Sequence, residues 1–456
     1  MTLGSTNAIW FPLIATLLVM AGLIAVEPSL AVAVVAAPMI IAAAIVAFGA
    51  IGGNRAATLI LVFMAVFLID VVFRVRDYQD KGIDFQVVLK LAAWGLVGLV
   101  AILNSRYWLG GIMVPSNIPW MMFLIWLLFT STVSPIPAYS AVSAFSICAY
   151  TMFCAYVFAR FDDAEIIAAM VASIVVFCAV SIVIYFAIPE FGRYVYWLNE
   201  QRYVSGRLAG VAGSANNMGR IAAFGLLLVG LYVREFISYS RLLTIVAVVV
   251  MSVALVMTNS RTSMAMTAAI LFAVYALNWR RLYIAIFGLS AVLVCMALLL
   301  PAGDDVLKLI SRSGNLEEVT SMTGRTDIWY AVLKLAEEQP ITGHGYASSI
   351  VVLPQHEREV GFLTSHAHNL ILQLLLTTGW VGVILFAVSV VCVALRASIF
   401  GDRVVLALLS FVFLNGVTES SGFTTLANIC SLAFAIAVTL PPNRDISSKH
   451  AYNTAY

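Results

Sequence analysis

The chain has 456 residues, of which 62% are hydrophobic and only 11% charged, with a formal net charge of +2. An ordinary soluble domain carries about 25% charged residues, so this composition excludes a water-soluble globule and points to a chain immersed in lipid. No zinc spacing, phosphate-binding glycine loop, nucleic-acid patch or tandem repeat is present in the sequence, which argues against cytosolic nucleotide chemistry and nucleic-acid partners.

A bilayer core of roughly 30 Å takes about 20 apolar residues per helix, and helices satisfy their own backbone polar groups in lipid. Such windows predict spans near residues 8–26, 30–51, 56–73, 85–103, 118–132, 138–160 and 164–188, then 217–233, 241–257, 262–278, 282–300, 379–396, 403–418 and 423–440. The fold class expected is an all-α polytopic integral membrane protein of about 12 to 14 transmembrane helices with a large helical outer loop, short windows being tilted or re-entrant. The first window has no positive leader and no small-residue cleavage site, so it is read as a span.

Five regions follow: an N-terminal transmembrane bundle (1–188), helices with external Arg-bearing loops (189–300), a large outer loop (301–365), a C-terminal helix bearing the histidines with further spans (366–440), and a cytoplasmic tail (441–456). With a cytoplasmic amino terminus, Arg55, Arg106, Arg160, Arg234, Arg241, Arg280, Arg281, Arg396, Arg403, Arg444 and Lys449 all fall inside, the positive-inside pattern. Arg193, Arg202, Arg207, Arg261, Lys308, Arg312, Arg325, Lys334 and Arg358 then fall outside and make an anion-attracting face, although scattered loop charges also serve simple solvation. Cys148, Cys154, Cys178, Cys295, Cys392 and Cys430 lie in apolar segments and read as small core residues. Asp70 and Lys90 are the charges expected within the bilayer, near the outer ends of their helices.

The outer loop has internal order. In TGRTDIWYAVLKLAEEQP, Ile328, Trp329, Val332, Leu333 and Ala336 recur at helical spacing over about 326–338, predicting a helix with one face on the membrane domain. Arg325 at its start and Glu337 and Glu338 at its end oppose the helix dipole, so helix stability does not account for Arg325; a guanidinium offers a planar fork for phosphate oxygens. PITGHGYASS follows as a turn. In TSHAHNLILQLLLTTGW, Ser365 is placed to cap a helix beginning near His366, with His366, His368 and Asn369 in its first turn and Gly379 loosening it. There a neutral histidine suits general-base work, although a histidine in such a loop often makes only a polar contact.

TNSRTS between two spans, GRTDIW and PITGHGY in a long outer loop, HAHNLILQLLLTTGWVG entering the next span, and a late NGVTESSGFTTLAN together resemble the O-antigen ligase and polymerase superfamily, over the chain from about residue 200 onward. The resemblance implies transfer of a glycan from undecaprenyl diphosphate to an acceptor sugar hydroxyl on the periplasmic face of the bacterial inner membrane, with no cofactor, nucleotide sugar or essential metal. It carries the family histidine onto His368 as catalytic base and its external arginines onto Arg261 and Arg325 as diphosphate ligands. Arg207 in SGRLAG and Asn216 resemble a further element at the mouth of a span; His366, Asn369 and Glu419 are supporting residues. For Arg207 and Arg261 the plainer alternative is anchoring at lipid headgroups.

Two family activities compete. The wording of GRTDIW and SHAHN leans towards an exopolysaccharide or O-antigen polymerase, with a ligase moving the glycan to lipid A core as the alternative. A transporter or lipid-linked glycan flippase is the reading of another class, disfavoured because the polar constellation sits outside rather than within the spans. Partners implied are the lipid-linked donor, a glycan or lipid-linked acceptor, membrane lipids, and a chain-length regulator and flippase of the same pathway.

Overall fold

The computed structural model describes residues 42–72, 85–198, 201–276, 325–357, 364–419 and 422–441. The expected spans at 8–26 and 282–300, most of 30–51, the tail beyond 441, and Cys295, Arg280, Arg281, Lys308, Arg312, Arg358, Arg444 and Lys449 lie outside them.

The fold is largely α-helical. In chain order stand α1 (Ala42–Ile51), α2 (Arg55–Ile69), α3 (Phe85–Leu103), α4 (Ser105–Ile112), α5 (Ile118–Ser131), α6 (Pro137–Arg160), α7 (Asp163–Ala187) and the single turn α8 (Pro189–Gly192). After a hairpin come α9 (Ala215–Leu231), α10 (Val233–Tyr239), α11 (Arg241–Met257) and α12 (Arg261–Ala276). The last group is α13 (Arg325–Glu338), α14 (Ser349–Gln355), α15 (Leu370–Phe400), α16 (Arg403–Thr418) and α17 (Ile429–Thr439).

Every expected span in the described residues contains a helix, and α2 and α17 are clearly shorter than their windows. Among the described residues three helices, α6, α7 and α15, are long and apolar enough to cross a membrane, or up to 5 spans if α3 with α4 and α9 with α10 each count as one bent span. The expected 12 to 14 spans include windows outside the described residues, and six further apolar helices, α1, α2, α11, α12, α16 and α17, are shorter than these, at 10 to 17 residues. Hydropathy sees apolar length and not helix ends: α2 stops at Asp70, inside its expected window. Side chains such as Ile125, Phe129, Ile384, Val391 and Ile399 point outward, an apolar exterior suited to lipid. Inside, Trp120, Phe123, Phe386, Phe423 and Phe434 form one aromatic cluster joining α5, α15 and α17.

The all-α expectation needs one correction. Residues 193–208 fold as an antiparallel hairpin, β1 (Arg193–Leu198) paired with β2 (Gln201–Leu208). RYVYWL is rich in the aromatic and β-branched residues that favour a pleated strand, and a six-residue strand is too short to register in a span-length window.

The helices have two chemically distinct ends. Arg55 pairs with Glu165, and Arg106 and Arg160 stack on the Tyr107 ring at 4.6 and 4.7 Å. α2 leaves that end and terminates at Asp70, whose Oδ2 accepts from Ile429 N at the start of α17 (2.9 Å). α15 and α17 converge again where Arg396 donates to the carbonyls of Ala437 and Val438 at 2.7 and 2.9 Å. Asp70, Asn216, His368 and Glu419 therefore stand at one set of helix ends, with the Arg-rich turns at the other.

Candidate active site

Glu419 is the hub. It caps the carboxyl end of α16 in an extended conformation, its N–H donating to Asn415 O at 3.0 Å, so the chain turns out of the helix with the carboxylate directed into a polar cluster. Oε1 accepts from Asn216 Nδ2 at 3.0 Å and from Arg325 Nη2 at 3.1 Å; Oε2 faces His368 Nδ1 at 3.1 Å. Burial alone would raise the Glu419 carboxyl. The His368 hydrogen bond and the electrostatic fields of His368, Arg220 and Arg325 outweigh it and hold the group down at about 2. An ionised carboxylate only accepts, so Nδ1 of His368 carries the proton, and in the neutral ring Nε2 keeps its lone pair free.

His368 is held in a left-handed conformation, φ +50°, which a non-glycine residue adopts only when its surroundings enforce it. The enforcing contacts are specific. Ala367 N donates to Gln373 Oε1 (3.0 Å), Gln373 Nε2 donates to Ser349 Oγ (2.8 Å), and Trp329 Nε1 donates to Ala367 O (3.0 Å). Asn369, rather than Ser365, caps α15: its Oδ1 accepts from Ile371 N and Leu372 N, and its Nδ2 donates to Val417 O at 3.3 Å. The two histidines thus precede the helix instead of occupying its first turn, and Asn369 acts as a clamp between α15 and α16. Ser365 is turned aside to His366 Nδ1, 2.7 Å away. The His366 ring lies 4.5 Å from that of His368, and burial, then the neighbouring positive charges, push it down to about 4, so it is neutral at pH 7.

Arg325 opens α13, as the spacing predicts. Ile328, Ala331, Val332 and Leu335 pack with Val352, Leu353, Ala367 and Leu376 in a small separate core, which fixes α13 over the histidine loop. Leu333, expected on this face, is exposed; Leu335 takes its place. The turn PITGHGY is bolted to the break in α15. At Gly379 (φ +66°, ψ −172°) the helix is interrupted, and the freed groups are satisfied by this turn: His344 N donates to Leu376 O (2.8 Å) and Trp380 N to Pro340 O (2.8 Å). Trp126 Nε1 takes Thr378 O at 2.9 Å.

Arg207 comes from β2. Its Nη2 donates to Asn216 Oδ1 at 2.8 Å and its Nε to Thr258 O at 2.9 Å, so it reaches Glu419 through one asparagine. Arg261 is exposed at the head of α12, in the same turn as Thr258, where Asn259 has φ +48°. Two residues missed in the sequence belong to this region. Asn217 donates to Asp70 Oδ1 at 3.3 Å, and Arg220 Nη2 donates to Asn217 Oδ1 at 3.2 Å. Their signal was present: a charged side chain within the apolar run of α9, in NNMGRIAAFG, is a functional candidate by default. Among the described residues, no group of three or more His, Cys, Asp or Glu side chains is placed to hold a metal ion. Of the five cysteines among them, Cys154, Cys178 and Cys430 are buried and Cys148 and Cys392 half-buried, small residues of the apolar helices.

Fold and site together define a helical membrane protein with an arginine, histidine and carboxylate cluster at one set of helix ends. Residues 246–387 match the O-antigen ligase family model, so this stretch of the chain is similar to the O-antigen ligase and polymerase superfamily. The match is shorter than half the chain; it contains Arg261, Arg325 and His368, whereas Arg207, Asn216 and Glu419 lie outside it. A search of curated proteins returns no match.

Proposed function

We propose that this chain is a membrane glycosyltransferase that moves a glycan from undecaprenyl diphosphate to an acceptor hydroxyl at the outer face of the bacterial inner membrane. The observation that carries this reading is the convergence on Glu419 of His368 from the α15 entrance and Arg325 from α13. In this reaction the acceptor oxygen attacks the anomeric carbon of the donor sugar while its proton passes to His368 Nε2. The bond from that carbon to the phosphate oxygen breaks, and its electron pair leaves with the diphosphate. Glu419 holds the Nδ1 tautomer and stabilises the imidazolium that forms, the part a carboxylate plays behind a catalytic histidine. Arginines at the cluster meet the charge that develops on the departing phosphate. Arg325 and Arg207 are assigned there, with Arg261 at the rim.

The particular reaction proposed is that of a ligase delivering the glycan to lipid A core, because the matched family is described as O-antigen ligase. The polymerase favoured by the wording of GRTDIW and SHAHN is the second reading. Lipid-linked intermediates in cells lacking the protein separate the two. Long lipid-linked polymers accumulate if a ligase is lost, and single repeat units if a polymerase is lost; unchanged intermediates would contradict both.

A further inference from the structure

The first turn of α9 carries two adjacent asparagines, and each links a guanidinium to a carboxylate. Asn216 accepts from Arg207 (2.8 Å) and donates to Glu419 (3.0 Å). Asn217 accepts from Arg220 (3.2 Å) and donates to Asp70 (3.3 Å). The two relays differ in how far the arginine is satisfied. Arg207 spends its Nε on Thr258 O, whereas Arg220 Nε is buried with no hydrogen-bond partner, and the side chain's described bond is the single one to Asn217. A guanidinium carries five N–H donors, and a buried donor left unmatched is unfavourable until an acceptor arrives. Asp70 does not supply that acceptor: its described bonds run from Asn217 Nδ2 to Oδ1 and from Ile429 N to Oδ2 (2.9 Å), and Arg220 Nε is left without one. Nε itself is buried, while the Arg220 side chain as a whole is half-buried and not sealed in the bundle.

The charge balance favours an anion. Three guanidiniums, Arg207, Arg220 and Arg325, stand with two carboxylates, Asp70 and Glu419, and Lys90 adds a further positive field at Asp70. The field of Arg220 also reaches Glu419 and His366, which places it beside the His368 cluster and not in a remote part of the bundle. Position along the helix sets which anion. Arg220 is five residues beyond Ala215, the start of α9, about 7 Å further along the axis at 1.5 Å per residue. Arg325 sits in the segment outside the bundle.

We propose that Arg220 is a second diphosphate ligand, taking the lipid-side phosphate while Arg325 faces the sugar-side phosphate, so that the site reads a diphosphate and not a single phosphate. This rests on the glycosyltransferase reading above, and its test separates the two. Full-length protein in zwitterionic nanodiscs is titrated with undecaprenyl diphosphate and with undecaprenyl monophosphate. Wild type binds the diphosphate at least about tenfold more tightly, Arg220→Gln loses about that factor for the diphosphate and little for the monophosphate, and Arg220→Lys falls between. Because Arg220 also offsets Asp70, the Asp70→Asn/Arg220→Gln double variant is measured beside it and shows the same collapsed ratio in a protein without an uncompensated buried carboxylate. A diphosphate preference retained in Arg220→Gln or in the double variant overturns this inference alone. A wild type without any such preference overturns both it and the proposed reaction. An Arg220 effect that appears only when phosphatidylglycerol is added to the nanodiscs assigns the residue to membrane headgroups and overturns it too.

Discussion

His368 Nδ1 stands 3.1 Å from Glu419 Oε2, and this contact fixes which ring nitrogen is free for chemistry. His368→Ala removes the proposed base while the loop around it stays held by Gln373, Trp329 and Asn369. Turnover is expected to fall by about 10²- to 10⁴-fold with donor binding retained. His366→Ala, which removes a half-buried neighbouring ring, is expected to be milder. Transfer assays at matched membrane abundance check both, and near-normal turnover by His368→Ala would remove it from the mechanism.

Acidification is expected to weaken the site in two stages. The His366 imidazole is held at about 4 against an ordinary 6.5, so the unfolded chain binds the extra proton first and stability declines as pH falls from 6.5 towards 4. The Glu419 carboxyl is held at about 2 against an ordinary 4.5, so its contribution is complete above pH 4.5 and is lost as pH falls towards 2. Thermal unfolding against pH should show His366→Ala flattening the first window and Glu419→Gln the second. Parallel curves for wild type and both variants would contradict the assignment.

Arg325→Lys keeps a positive charge but loses the planar fork. If Arg325 meets the diphosphate, this costs about 1 to 3 kcal/mol of transition-state stabilisation, roughly ten- to hundredfold in rate. Arg234→Lys, at an exposed position on α10, is the control and should be near normal. Equal rates for the two variants would show that charge alone is needed at Arg325.

The PITGHGY turn supports the site from behind. Gly343 has φ +61°, and a Cβ there would lie 2.6 Å from the Thr377 carbonyl carbon and from Thr378 N, backbone that cannot move aside. Gly343→Ala should therefore destabilise the protein by about 1 to 3 kcal/mol or more and loosen the break at Gly379. A thermal midpoint equal to wild type would show that this turn does not brace α15.

Much of this arrangement is legible in the sequence, and the gaps have physical causes. The helix at 325–338 and the kink at Gly379 follow from periodicity and from a glycine within an apolar run. The cap was misplaced because Ser365 and Asn369 are both good N-cap residues, and only the fold shows Asn369 accepting from two backbone N–H groups. Glu419 was a supporting candidate, since nothing in NGVTESSG reveals that three chain segments far apart in sequence meet on its carboxylate. Arg220 was overlooked because the relay it belongs to closes on Asp70 through Asn217, a contact spanning 147 residues.

The most direct measurement is transfer reconstituted from purified protein, undecaprenyl-diphosphate-linked glycan and lipid A core, without nucleotide and with EDTA present. The arginine cluster is assigned the charge on the departing diphosphate, so product on lipid A core should form under these conditions and vanish with His368→Ala. An absolute requirement for added magnesium or manganese, or equal product from wild type and His368→Ala, would contradict the proposed reaction.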